Sequence, residues 1–258
     1  MTTARPDPDD AALLAAAMAE AGALAASLFA RGVRIWDKAP GNPVTEADYA
    51  IDALLKARLG AARPDYGWLS EETADSAERL ARRRVWVVDA IDGTRDFLNG
   101  RHGWAVSVAL VEDGQPVLGA LAAPLLGQSW LARAGGGATC NGQPLAVGRR
   151  ARPEGARICA DPADAQRLGF APVPKPNALA LRLAQVAAGA ADLFVEHRPI
   201  REYDVAAAAL ILTEAGGLAT NQHGAALLFN GLPPRLDGLV AANPALHAAV
   251  LAAGRPAG

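Results

Sequence analysis

From residue 11 to residue 30 the chain is almost entirely small and aliphatic, with Glu20 as its only charge. The acids of "RPDPDD" in front of this run suit a helix N-terminus, because carboxylates complement the positive end of the helix dipole. The pattern predicts a helix beginning near Asp9 or Asp10. Its apolarity also fits a signal peptide or a membrane span, but a signal peptide carries a basic flank and this flank is acidic, so a soluble helix and no membrane partner are expected. "TEADYAIDALLKARL", residues 45–59, predicts a second helix with Thr45 as N-cap and Asp48 at the third position of a capping box. The period then shortens. Residues 85–88 are apolar and mostly β-branched, as in a short strand buried on both faces. Residues 104–124 predict two strands joined across Asp113-Gly114, and residues 128–147 predict shorter strands around an Asn141-Gly142 turn.

After about residue 150 the pattern becomes that of an α/β layer. It predicts a helix at Ala178–Ala188, a strand at Asp192–Glu196, and a helix at Tyr203–Ala215 stopped by Gly216-Gly217. A strand at Leu239–Ala242 and a closing helix after Pro244 complete it. The 258 residues sit at the upper edge of what one core serves, so the division expected is a half at 1–148 and a half at 149–258, crossed at "RRARPEGAR", residues 149–157. Net charge is −2 with acids and bases interspersed, which excludes a broad basic surface for a nucleic acid polymer or an anionic membrane and directs attention to a small-molecule site. Cys140 and Cys159 make no disulfide framework and no metal spacing, in keeping with a reducing cytoplasm. His102, His197, His223 and His247 lack the spacing of a zinc site and are expected on the surface or in loops, with His197 alone a candidate to face a substrate.

The acids of "WVVDAIDGTRDF", residues 86–97, sit where a buried strand should end. Side chains two apart on a strand share a face, so the spacing of three from Asp89 to Asp92 predicts that the strand has stopped and that Asp92 lies in the turn. Gly93 permits left-handed backbone there, and Thr94 suits the start of a helix. Such a corner offers carboxylates for a hard cation such as Mg²⁺ and free amides for a phosphate oxygen. An EF-hand is excluded by register, as is an aspartyl-nucleophile phosphatase of the Asp-x-Asp kind, and a P-loop by the absence of its motif. A merely acidic turn with a capped helix stays open on this stretch alone. Glu71 and Glu72 in "WLSEET" are adjacent acids after an apolar run, either solvated or bound to a cation. Asp204 is read in the first turn of an apolar helix, either a metal ligand or a dipole-complementing acid.

Together these stretches resemble the inositol monophosphatase superfamily, the lithium-sensitive, Mg²⁺-dependent phosphomonoesterases that include inositol monophosphatase, histidinol phosphatase and 3′(2′),5′-bisphosphate nucleotidase. "WVVDAIDGTRDF", "SEE", "PVTEAD" and "EYDVAAAALILTEAGG" resemble its motifs and keep their order over roughly residues 38–220. The resemblance implies an α/β (α+β) fold layered α/β/α/β/α, with an antiparallel N-terminal sheet, a smaller C-terminal half and the site where the halves meet. It implies one Mg²⁺ on Glu71, Asp89 and the Ile91 carbonyl, a second on Asp89, Asp92 and Asp204, and a third, weaker ion near Glu71. Thr94 and Asp48 correspond to the pair that orients and deprotonates water, and Asp48 as a capping acid only stays open. Asp92, Gly93, Thr94 and Asp204 correspond to substrate-binding positions, Lys38 to a lysine near the metal region, and a homodimer is usual.

Departures bear on the substrate. Ala90 stands where the family has Pro, and Tyr203 where it usually has Trp, as in the histidinol-phosphatase branch. Glu202 and the Arg95-Asp96-Phe97 run are similar to the bisphosphate-nucleotidase branch. Asn177-Ala178 replaces a Gly-Ser or Gly-Thr, and His197 stands where a sugar-binding Glu is found. The expected substrate is a 3′-phosphoadenosine-5′-phosphate type, with inositol monophosphate next and histidinol phosphate third. A metal-binding scaffold without turnover is the competing class, disfavoured because Thr94 and Asp48 are both present.

Overall fold

The computed structural model describes residues 8–39 and 42–254. Helix α1 (Pro8–Arg31) leads to an antiparallel hairpin, β1 (Ile35–Ala39) and β2 (Asn42–Thr45), and to α2 (Glu46–Leu55), which continues into a π-helical turn at Lys56–Gly60. Seven strands then form one sheet in sequence order: β3 (Gly67–Ser70), β4 (Arg84–Asp92), β5 (Ala105–Glu112), β6 (Gln115–Ala123), β7 (Gln128–Arg133), β8 (Gly137–Cys140) and β9 (Gln143–Pro144). β3 runs parallel to β4 and the other neighbours are antiparallel. The short helix α3 (Thr94–Leu98) links β4 to β5.

A second sheet has the order β11-β10-β12-β16-β14, from β10 (Arg157–Ile158), β11 (Ala171–Pro172), β12 (Leu193–Glu196), β14 (Leu218–Thr220) and β16 (Leu239–Ala242). A separate ribbon pairs β13 (Ile200–Arg201) with β15 (Arg235–Leu236). The helices here are α4 (Pro162–Arg167), α5 (Leu179–Ala187), α6 (Ala206–Glu214) and α7 (Pro244–Gly254).

Alternation along β4 sets the layers. Trp86 and Val88 join Leu14 and Met18 of α1 and Ile51 and Leu55 of α2 in one core. Val85 and Val87 point the other way, into a core shared with Leu183 of α5, Ile211 of α6 and Phe194 of β12. The far face of the second sheet packs Val240 and Ala242 on Ala165 of α4 and Leu246 of α7. The result is a mixed α/β fold with helices packed against both larger sheets. Lying between two sheets, α6 must be apolar all round, and Ala206 to Leu212 are all buried. It also lies close: a Cβ on Gly119 of β6 would sit 2.6 Å from the Ala207 carbonyl oxygen.

By length and composition α1 is apolar enough to cross a membrane. Here one face of it, Leu14, Met18, Ala21, Ala25 and Leu28, is built into the first core. Its buried Asp10 is held by Arg63, Arg84 and the Tyr66 hydroxyl.

Three expectations are corrected. The strand through residues 85–88 does not stop at Asp89 but runs to Asp92. Asp204 is not in the first turn of its helix, because α6 begins at Ala206 and Asp204 lies in the turn before it. His247 is not on the surface: it is 3% exposed, its Nε2 is 2.8 Å from Thr220 Oγ1, and burial lowers its pKa. The other three histidines are exposed.

Candidate active site

A β-bulge explains the spacing of the two aspartates. Asp89 pairs with Ser107 and Asp92 with Ala105, so three steps on β4 match two on β5. The extra residue puts both Ala90 and Ile91 on the α1/α2 side, and returns Asp92 to the face of Asp89, towards α5. Asp89 Oδ1 accepts the Ile91 amide at 3.0 Å and so stabilises the bulge itself. Gly93 follows at φ +91°, where a Cβ would lie 2.8 Å from the Ala178 amide and the Gly103 carbonyl. The Thr94 hydroxyl donates to the Ile91 carbonyl at 3.0 Å. Beneath this corner Phe97 packs edge-on against Phe29 and Trp104, at 5.2 and 5.0 Å between ring centroids, which anchors α3 in the core.

Two acids from the corner hold the start of α5. Asp92 Oδ1 accepts the Leu179 amide at 3.1 Å and Oδ2 the Ala180 amide at 2.7 Å, while Asp96 Oδ2 accepts the Asn177 amide at 3.0 Å. The role of buried Asp96 was not read from the sequence, because its partner, the Asn177 amide, lies 81 residues away.

Glu71 arrives from the neighbouring strand. β3 and β4 pair in register Ser70↔Val88, and the Glu71 amide donates to the Val88 carbonyl at 3.3 Å, which sets Glu71 beside Asp89. The turn that follows is bracketed from α2. Ser70 Oγ donates to Asp52 Oδ1, Thr73 Oγ1 donates to Asp52 Oδ2 at 2.8 Å, and Ser70 Oγ accepts the Glu72 amide at 3.1 Å. Asp52 was missed in the sequence, where it is one more acid on an amphipathic helix. Lys38 from β1 lies 2.6 Å from Glu72 and 3.7 Å from Glu71, so it is a local cation of the acid cluster and not a solvated lysine.

Glu71, Asp89, Asp92 and Asp204 line one polar cavity of about 230 Å³, together with Ile91, Gly93 and Thr94. Arg95 and Asn177 also reach it. Asp48 does not line it. Its Oδ2 is taken by the Thr45 amide at 2.8 Å and the Thr45 hydroxyl at 2.6 Å, and Thr45 caps α2 in return, the capping box expected from the sequence. His197 does not reach the cavity either; its Nδ1 is 3.3 Å from Gln222 Oε1.

The electrostatics of this cavity are unbalanced. Burial, and then the charges of Glu71, Asp92, Asp204 and Asp48, push the Asp89 carboxyl well above the usual range. Burial, with Asp92 and Glu71, does the same to Asp204. Burial raises Asp92 to about 7 against the pull of the Ala180 and Leu179 amides, and raises Glu72 to about 7 against Lys38. Glu71 and Asp48 are raised as well, each mainly by burial. Burial works against the charge of Lys38, but the Glu72 hydrogen bond and the Glu71, Glu72 and Asp48 charges hold its pKa above the usual value. Such an array requires protons or cations.

Hard oxygen donors are what Mg²⁺ or Ca²⁺ selects, and Glu72 Oε2 and Ser107 Oγ are buried without a partner nearby. Among the described residues, no three acid, histidine or cysteine side chains yet stand as a closed cage. Asp92 is turned onto the α5 amides, although each of its oxygens retains a second lone pair.

Similarity to known proteins agrees with this geometry. The chain is 35% identical to a histidinol-phosphatase of Mycobacterium tuberculosis over 85% of its own length and 87% of that protein. It is 33% identical to an inositol-1-monophosphatase of Mesorhizobium japonicum, with 84% of each covered. Against the 3′(2′),5′-bisphosphate nucleotidase CysQ of Aggregatibacter actinomycetemcomitans it is 30% identical, covering 82% of this chain and 84% of that one. In three dimensions it matches the extragenic suppressor protein suhB of Bartonella henselae with a TM-score of 0.80 and 26% identity, over 93% of this chain and 96% of that one. Residues 6–257 match the sequence model of the inositol monophosphatase family, and the chain belongs to that family of phosphoric monoester hydrolases.

Proposed function

We propose that this protein is a Mg²⁺-dependent phosphomonoesterase acting on a small polar phosphate ester of the 3′-phosphoadenosine-5′-phosphate or inositol monophosphate type. One observation carries the reading: four carboxylates from three separate stretches line a single polar cavity beside Thr94, with too little positive charge nearby to offset them. In this reading Glu71, Asp89 and the Ile91 carbonyl would hold one ion, and Asp89, Asp92 and Asp204 would hold a second. A third ion near Glu71 would compete with Lys38. Residues 1–148 supply all of these ligands except Asp204, which comes from 149–258. When bound, Mg²⁺ supplies positive charge to the phosphoryl oxygens and lowers the pKa of water.

The residues supply position. Phosphoryl transfer demands alignment and charge stabilisation more than covalent chemistry, and no nucleophilic side chain is needed. The Thr94 hydroxyl proton is committed to the Ile91 carbonyl. Its oxygen lone pairs are left to accept a hydrogen bond from water and fix that water for attack on phosphorus. The phosphoryl oxygens are received by the amides of Gly93 and Thr94. As water adds and the ester P–O bond breaks, one water proton is relayed through solvent to Asp48, which stands outside the cavity lining, and the leaving alkoxide takes a proton from solvent.

The test is phosphate release from 3′-phosphoadenosine-5′-phosphate, inositol 1-phosphate and histidinol phosphate with Mg²⁺, with EDTA and with added Li⁺. EDTA-sensitive, Li⁺-inhibited release from at least one substrate is expected; its absence from all three overturns the reading. Asp48→Asn and Thr45→Ala separate proton transfer from capping. If Asp48 is the base, only the first lowers kcat steeply; if it only caps, both act on stability alone.

A further inference from the structure

Of the four acids that line the cavity, Asp89 and Asp92 stand on β4 and Glu71 directly follows β3, whereas Asp204 lies in a turn between β13 and α6. One residue holds that turn. The Glu202 carbonyl accepts the Val205 and Ala206 amides at 3.2 and 2.9 Å, which closes the backbone around Asp204. The Glu202 carboxylate is buried and accepts the Asn230 and Gly231 amides at 2.6 and 2.9 Å. The same two residues are gripped from the other side by Arg79, whose side chain is 1% exposed. Its Nη1 donates to Asn230 Oδ1 at 2.5 Å and its Nη2 to the Gly231 carbonyl at 2.8 Å. Asp75 fixes the guanidinium, accepting from Nε at 2.6 Å and from Nη2 at 2.9 Å. Arg79 belongs to the short helical turn Ala77–Ala81, which is seated on β3: a Cβ on Gly67 would lie 3.0 Å from the Arg79 Cβ. A path of buried polar groups therefore runs from β3, through Arg79 and Asn230-Gly231, to Glu202 and the turn that carries Asp204.

Apolar side chains of similar volume often stabilise a fold as well as buried charges do. What a fully bonded guanidinium and carboxylate add is fixed direction, because every bond they make is oriented and the network is rigid. We propose that Glu202 and Arg79 are positioning residues that set where Asp204 stands relative to Asp89 and Asp92. They thereby govern binding of the cation assigned to Asp204 and not of the one assigned to Glu71. Glu71 keeps ties of its own, the pairing of β3 with β4 and the Asp52 bracket, so loss of the strut is felt at Asp204. The inference rests on the phosphatase reading above.

The test counts Mn²⁺, which takes the same oxygen donors as Mg²⁺, by electron paramagnetic resonance of the free ion with the full chain and no substrate. E202Q is nearly isosteric, but its amide nitrogen cannot accept a backbone N–H. It should weaken one ion about tenfold and leave the other within about twofold. R79K breaks the path from its other end by removing the fork, and should act on the same ion. In a D204N background E202Q should change neither ion further, since two substitutions that act through one group do not add. With substrate, the Mg²⁺ concentration for half-maximal phosphate release should rise about tenfold in E202Q, while KM for the ester at saturating Mg²⁺ stays as in the wild type. Equal weakening of both ions, unchanged binding in E202Q and R79K, or an E202Q effect that persists in full beside D204N would overturn the strut and leave a brace for the fold. Selective loss of one ion, with no phosphate release from any of the three esters by the wild type, would overturn the phosphatase reading and leave the strut standing.

Discussion

Strand β4 has buried acids at both ends, and the two ends solve the problem differently. At its start Asp10 is matched by Arg63 at 2.6 Å and Arg84 at 3.1 Å, and Glu112 by Arg83 at 2.6 Å and Arg84 at 2.7 Å. At its far end Asp89 and Asp92 stand with Glu71 and Asp204, and among the described residues the ion pairs at this cavity run from Lys38 to Glu71 and Glu72 only. Burying a charge is tolerable only when it is paired. The paired end behaves as structure. The unpaired end has to recruit its compensation from outside the chain, which is what a cation-binding site does.

The sharpest way to break this contrast is to remove one acid at each end. Asp89→Asn should lower kcat by roughly 10³-fold or more, since it removes the carboxylate proposed to serve both ions. Its melting temperature in EDTA should hold or rise, because a mutual repulsion is relieved. Asp10→Asn should do the reverse, costing about 3–5 kcal/mol of stability because Arg63 and Arg84 lose their buried partner, with kcat per folded molecule retained. Kinetics and denaturant unfolding of both variants decide the matter; a stability loss of similar size in each would erase the distinction.

Acidity gives the next largest effect. A carboxyl whose pKa is higher in the folded chain holds its proton more tightly when folded. The stability it contributes is complete below the unfolded value, near about 4, and is lost as pH rises through the folded value, about 7 for Asp92 and Glu72. Asp89 and Asp204 act in the same sense. His247, with its lowered pKa, acts in the opposite sense but is one group against several. Carboxyls with lowered values, such as Asp192 and Glu196, act at lower pH. In EDTA the melting temperature should therefore fall between pH 5 and pH 8. Mg²⁺ should stabilise more at pH 8 than at pH 5, reaching about 2.7 kcal/mol in all where it stands at a hundred times its Kd. A cation-free melting temperature that rises over this range would contradict the unbalanced cluster.

How much of this was legible in the sequence depended on range. The capping box at Thr45 and Asp48, the β5–β6 hairpin and α5 and α6 follow from local periodicity and turn chemistry, and all are present. The bulge was not legible: a spacing of three was read as the end of a strand, although one extra residue preserves the shared face. The β1–β2 hairpin escaped because its strands are only five and four residues long, and β3 and the β13–β15 ribbon because each is short and owes its form to partners distant in sequence. For the same reason the gathering of Glu71 and Asp204 around Asp89 came only from the resemblance to a family, and the Asp52 bracket and the Arg79–Glu202 strut came from neither.

Asp52 gives a smaller effect at the unpaired end. Its carboxylate accepts both hydroxyls that flank Glu71 and Glu72, from Ser70 and Thr73. Asp52→Ala removes both acceptor oxygens, so the turn loses its two ties. Partners that orient a metal ligand change metal affinity by about 10–100-fold when lost. The Mg²⁺ concentration for half-maximal activity should rise about tenfold, with kcat at saturating Mg²⁺ within about threefold of wild type. A Mg²⁺ titration reads this directly, and an unchanged midpoint would reduce Asp52 to a fold-stabilising acid.

The smallest effect belongs to the paired end, where redundancy should hide a substitution. Arg83 is 67% exposed on its side chain and reaches Glu112 Oε1, but Glu112 Oε2 is held independently by Arg84. Its second partner, Asp113, is 69% exposed and 3.3 Å away, a surface pair of little consequence. Arg83→Ala should therefore cost less than about 1 kcal/mol in denaturant unfolding and leave phosphate release unchanged, because the remaining arginine keeps Glu112 neutralised. A loss above about 2 kcal/mol would mean that Arg84 cannot serve Asp10 and Glu112 together, and the start of the strand would then be nearly as short of positive charge as the end that holds the site.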